Sequence, residues 1–172
     1  MCKLSKPNIV TFQAKLDEFY FLGFEQPVTP ASDFGQVWGN YFSAAEKAGL
    51  ADPYESIIWY RKNNEQFYFV GKVTDSACAV PEGCSLVHFP ACEYLVVTHE
   101  WLPDGKGVAT DGIGITQDYA GIGQTHKYKE NLPVPDGYVR FDGLDGFITQ
   151  IEKEVATADG QRFERWVPIR KK

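Results

Sequence analysis

The sequence predicts an α+β fold: one domain over residues 1–172, made from a duplicated β-α-β-β unit with pseudo-two-fold symmetry. Its antiparallel sheet is expected to carry both helices on one face and a cleft at the repeat seam. Three observations predict this. NIVTFQAKLDEFYFLGFE (residues 8–25) and SLVHFPACEYLVVTHE (residues 85–100) share a residue order in which Ile9, Val10, Phe12 and Ala14 match Leu86, Val87, Phe89 and Ala91, an offset of 77. A helix-like pattern follows each segment. A strand pair follows each helix, and its second member begins with Gln: NEQFYFVGKV in one half, DGQRFERWVPI in the other. Similarity at a fixed offset marks repeated units, here about 8–75 and about 85–170.

The first helix is predicted within SDFGQVWGNYFSAAEKAGL, where Ser32 or Asp33 offers an N-cap oxygen. Phe34, Val37, Trp38, Tyr41, Phe42 and Ala45 recur at spacings of three and four, and Gly49 stops the helix. The second helix is expected from Ile115 to Asn131, weakened by Gly121 and Gly123, each costing about 1 kcal/mol relative to Ala. GIGIT and GIGQT lack the Gly-Lys-Ser/Thr of a phosphate loop, so no nucleotide site is expected. TDSACAVPEGC is a loop between the halves, and LPDGKGVATDG and VPDG are turns.

At 172 residues and 44% hydrophobic, the chain is long enough to bury a core without staples. A net charge of −6, with Lys and Arg scattered, argues against a nucleic-acid partner. No signal peptide or membrane-length apolar run is visible, so a cytoplasmic location is expected. The cysteines, Cys2, Cys78, Cys84 and Cys92, lack a paired CxxC spacing and read as reduced thiols; Cys78, Cys84, His88 and Cys92 could make a zinc site only without the usual close pairs. HEWLP is not a zinc protease signature, because Pro103 stands where the second His belongs. No metal or cofactor is expected.

VPEGCSLVHFPACEYLVVTHE resembles the central block of GyrI-like (gyrase-inhibitor-like) effector-binding domains, with its Pro-Gly turn, Pro-Ala and long strand. FERWVPI is similar to that family's closing Phe-Glu-x-Tyr-x-Pro strand, and LPVPDGY to its Leu-Pro-x-x-Gly-Tyr turn. The resemblance covers nearly the whole chain and implies a domain that receives small hydrophobic, often cationic, organic molecules. With the repeat starting by residue 8, the chain looks like a stand-alone member. Some such members hydrolyse cyclopropane-bearing alkylating toxins, and others act on protein partners such as gyrase. Trp166 departs from the pattern by replacing a Tyr, which removes a phenol.

Glu164 is the principal candidate. Strand alternation puts Arg162, Glu164 and Trp166 on one side of QRFERWVPIR and Phe163, Arg165 and Val167 on the other. A solvated strand pairing Glu164 with Arg162 fits the residues alone. The resemblance instead implies that the Glu face is the cleft, where a carboxylate is costly to bury unless it serves a cationic or proton-donating guest. Either a counter-ion or an acid-base role then follows, with Tyr68 as the accompanying catalytic phenol, or Tyr94. The expected cleft residues are Trp38, Tyr41, Trp59, Tyr68, Tyr94, Trp101, Tyr119, Glu164 and Trp166. Core packing is the first reading of Trp38 and Tyr41, on the helix stripe. An offset of 96 places Tyr68 opposite Glu164 in the repeat, and a slip of one residue would turn it away. Tyr128 is a further candidate.

Overall fold

A computed structural model describes residues 10–100, 134–141, 144–157 and 160–172. The chain forms β1 (Val10–Leu16), breaks at Asp17 and Glu18, and resumes as β2 (Phe19–Pro27). Helix α1 (Phe34–Lys47) follows, then the hairpin of β3 (Ser56–Lys62) and β4 (Glu65–Thr74). Next, β5 (Ser85–Phe89) breaks at Pro90 and Ala91 before β6 (Cys92–Glu100). Short β7 (Tyr138–Arg140) precedes the hairpin of β8 (Ile148–Thr157) and β9 (Gly160–Lys171). Local chemistry sets these limits. Asn63 and Asn64 turn the first hairpin at φ 54° and 64°, a region that Asn tolerates better than most residues. Pro90 has no N–H with which to continue a ladder.

The strand order is β1-β6-β9-β8-β3-β4-β2-β5, with β7 also pairing β9. The pairings are antiparallel, and β3 against β8 is the seam between the two halves. Leu16 pairs with Cys92 and Phe19 with Phe89. The two broken strands therefore run against each other along their whole length, break facing break. Each break passes the chain from one half of the sheet to the other. The sequence offset of 77 would have put the second break at Tyr94 and Leu95, which instead lie within β6.

The α+β expectation, with helices on one face, is corrected. The described residues form a nine-stranded, mostly antiparallel sheet with one helix of 14 residues. The physical reason is the pair of breaks: each segment read as one long strand is two, so strands dominate. The second helix, expected from Ile115 to Asn131, lies outside the described residues.

The sheet curls. On a flat sheet, β3 and β5 would be about 14 Å apart, three strand spacings, yet the rings of Tyr60 and Phe89 have centroids 5.1 Å apart. The concave face buries Phe21, Ile58, Tyr60, Phe69, Phe89, Tyr94 and Val96 in one cluster. On the opposite face, α1 packs Val37 and Tyr41 against Ile57, Tyr68 and Val70. Asp33 caps that helix by accepting a hydrogen bond from the Gln36 N–H at 3.2 Å, and Gly49 ends it at φ 64°. A second patch on the far side holds Leu95, Val97, Val167 and Ile169. No helix among the described residues is long and apolar enough to cross a membrane.

Candidate functional site

Alternation along β9 places Glu164 and Trp166 on the concave face, while Val167 and Ile169 join the far patch. Glu164 pairs directly with Thr98 of β6 and Lys153 of β8, and such partners share a face. The Glu164 side chain is buried and accepts a hydrogen bond from Trp166 Nε1–H at 2.9 Å. Lys153 Nζ stands 5.0 Å from the centroid of the Trp166 ring and 3.6 Å from Glu55 Oε1. The first half continues the same rung with small residues: Ser85, Gly23, Gly71 and Ser56 oppose one another in turn. Large side chains are missing there, and space opens.

That space is a cavity of about 560 Å³, where the corner between β1 and β2 passes over the β3–β8 seam. Leu16, Phe19, Ile58, Val73 and Ile151 give it apolar walls. Asp17, Glu18 and Glu55 add three carboxylates and Lys153 one ammonium. Its size is typical of small-molecule sites, and its pattern of apolar walls with few charges suits a greasy guest of positive charge.

The structure brings Glu164, Trp166 and Tyr94 together on the concave face, with the Tyr94 and Trp166 rings edge to face at 5.8 Å. It does not bring Tyr68 to them. Tyr68 lies between Phe67 and Phe69 in β4, so it points to the helix side, where its hydroxyl accepts a hydrogen bond from Trp38 Nε1–H at 2.9 Å. Trp59 packs edge to face on Tyr68, and Tyr41 is buried under α1 with its hydroxyl donating to the Pro53 carbonyl. Trp101, Tyr119 and Tyr128 lie outside the described residues. Cys84 packs on the helix side and Cys92 on the concave side, while His88 Nε2 lies 3.2 Å from Glu18. The four zinc candidates are therefore not gathered.

Sequence reasoning missed Asp17, Glu18, Glu55 and Lys153. It also missed Glu25, which shares the concave face with Phe19 and Phe21 and accepts hydrogen bonds from Tyr60, from Lys62 at 2.8 Å and from Ser85 at 3.1 Å. The signal for Glu25 was present: an acid in phase with aromatic residues along a strand, the same argument that singled out Glu164. Burial pushes the phenols of Tyr41, Tyr60 and Tyr94 above their usual 10.0, with Glu25 adding to the rise at Tyr60. The fold thus favours their protonated forms. Their stabilisation is whole below pH about 10 and is lost above it, as the unfolded chain ionises first. In a base titration, tyrosinate absorbance from these three residues should rise together with loss of native circular dichroism. Ionisation with the fold intact would contradict their burial.

No family model matches the chain, and no curated protein matches it. Solved structures do. An integron cassette protein from the mobile metagenome of Vibrio cholerae aligns over 95% of this chain and 99% of its own at 13% identity, with a TM-score of 0.56. SAV2435, solved bound to tetraphenylphosphonium, aligns over 94% of both chains at 8% identity, TM-score 0.57. The EcmrR C-terminal domain aligns over 95% of this chain and 99% of its own at 14% identity, TM-score 0.55. The likeness is one of fold. SAV2435 and the EcmrR domain are GyrI-like folds, so the architecture is similar to the one that the sequence motifs resemble.

Proposed function

We propose that this chain binds lipophilic organic cations in the cavity over the β3–β8 seam. The observation that carries the reading is the combination of apolar walls with three carboxylates at one cavity, whose Lys153 is the ladder partner of the buried Glu164 and stands over the Trp166 ring. Leu16, Phe19, Ile58 and Ile151 take the apolar surface of the guest out of water, which supplies most of the affinity. Glu164, held by the Trp166 indole, supplies a fixed negative charge in a poorly hydrated setting, where its attraction for a cation exceeds that of a surface acid. The fold likeness to SAV2435, which was solved with a lipophilic cation, supports the same reading.

Tryptophan fluorescence titrated with tetraphenylphosphonium tests it. Saturable quenching is expected, and Glu164→Gln should weaken binding by up to about tenfold, through loss of a carboxylate one ladder position from the cavity's Lys153. Triphenylphosphine oxide, similar in shape but uncharged, should bind both proteins alike. Equal tetraphenylphosphonium affinity in the two proteins would remove Glu164 from the account. Hydrolysis of an alkylating guest would need a phenol near Glu164. Tyr94 is on that face and Tyr68 is not, so ring-opened product that vanishes in both Glu164→Gln and Tyr94→Phe would replace binding with catalysis.

A further inference from the structure

We infer that Lys153 is a resident cation that holds the guest's place and sets which cations enter. The inference rests on the binding reading above and concerns the selectivity of the same site. Lys153 meets the features that would attract a cationic guest. Its Nζ lies 5.0 Å from the Trp166 ring centroid, its partner across the ladder is Glu164, and Glu55 Oε1 is 3.6 Å away. It also lines the cavity itself, with its side chain only 21% exposed. An ammonium near an aromatic face and two carboxylates satisfies the electrostatics of the site.

A tethered ammonium also competes at a high effective concentration, because its stem confines it to the site. A guest that offers charge alone gains nothing that Lys153 does not already provide. A guest that also covers Leu16, Phe19, Ile58, Val73 and Ile151 gains apolar burial that the lysine stem cannot match. Lys153 therefore filters: small hydrated cations are rejected, and bulky lipophilic ones displace it. The displaced ammonium reaches solvent by rotating its flexible four-carbon stem, and the Glu55 contact it gives up is a partly exposed pair, long at 3.6 Å and of small worth.

Calorimetry with tetraphenylphosphonium and tetramethylammonium, on the wild-type chain and on Lys153→Met, tests the inference. Met keeps the length and apolar character of the stem without the charge. The wild-type protein should bind only tetraphenylphosphonium. Lys153→Met should bind it about tenfold more tightly and should acquire measurable affinity for tetramethylammonium. A second readout needs no variant: the Lys153 Cε methylene resonance, shifted by the Trp166 ring in the free protein, should return towards its unshifted position as tetraphenylphosphonium saturates. Unchanged or weaker binding by a folded Lys153→Met, or a Lys153 resonance unmoved at saturation, overturns the inference while leaving the binding reading intact. If neither protein binds tetraphenylphosphonium, both fall.

Discussion

Gly71→Ala is expected to destabilise the fold severely. Gly71 of β4 faces Gly23 of β2, and a Cβ on Gly71 would stand 2.0 Å from the Leu22 carbonyl oxygen. The reverse holds as well, since a Cβ on Gly23 would stand 2.0 Å from the oxygen of Val70. These are backbone atoms of paired strands and cannot swing aside as a side-chain tip could. Relief requires β2 and β4 to separate at the rung where the cavity opens, which breaks the ladder and the curl together. The expected loss is on the order of 4 kcal/mol or more, in the extreme tail for single substitutions. Urea denaturation read by circular dichroism measures it. The same substitution at Gly39 on α1, where nothing lies within 4 Å of the added carbon, should be stabilising by up to about 1 kcal/mol. A Gly71→Ala protein within about 1 kcal/mol of the wild type would show that the strands do not approach as described.

Phe69→Ala should give the next largest loss. Phe69 is fully buried on the concave face, edge to face with Phe21 at 4.9 Å and beside Tyr60 at 5.8 Å. Removing it leaves a hole amid close-packed rings from several strands, so the site cannot readily collapse, and a cost of about 3 to 5 kcal/mol is expected. For a chain of this length that is a fall in Tm of roughly 10 °C. Leu144→Ala, at a position 50% exposed, should change stability by under about 0.5 kcal/mol. A Phe69→Ala protein as stable as the Leu144→Ala protein would contradict the assignment of the concave face as the main core.

What was legible in the sequence was whatever depends on local periodicity. Val37, Tyr41 and Ala45 sit at helical spacing, and all three are buried under α1. The alternation in QRFERWVPIR assigned Glu164 and Trp166 to one face, and the Trp166 hydrogen bond to Glu164 joins them there. The breaks at Asp17 and Glu18 and at Pro90 and Ala91 were not legible as strand ends, because they interrupt runs that read as continuous. Their consequence is long-range: they move half of each run to the other side of the sheet, which raised the strand count and overturned the α+β expectation. Lys153 and Glu55 belong to different halves and meet only through the β3–β8 register, which no local pattern encodes. Tyr68 shows how unforgiving register is. Its neighbours Phe67 and Phe69 face the concave core, so a shift of one residue in the repeat correspondence separates the face of Glu164 from that of α1.

Methyl resonances followed during addition of tetraphenylphosphonium report where the guest sits. The phenyl rings of a guest in the cavity shift the methyl groups they touch. Large, saturable changes are expected at Leu16, Ile58, Val73 and Ile151, which line the cavity, and small changes at Val37 and Val70, which pack on the helix side. Changes concentrated at Val37 and Val70, or none at any of these methyls at saturating tetraphenylphosphonium, would contradict it.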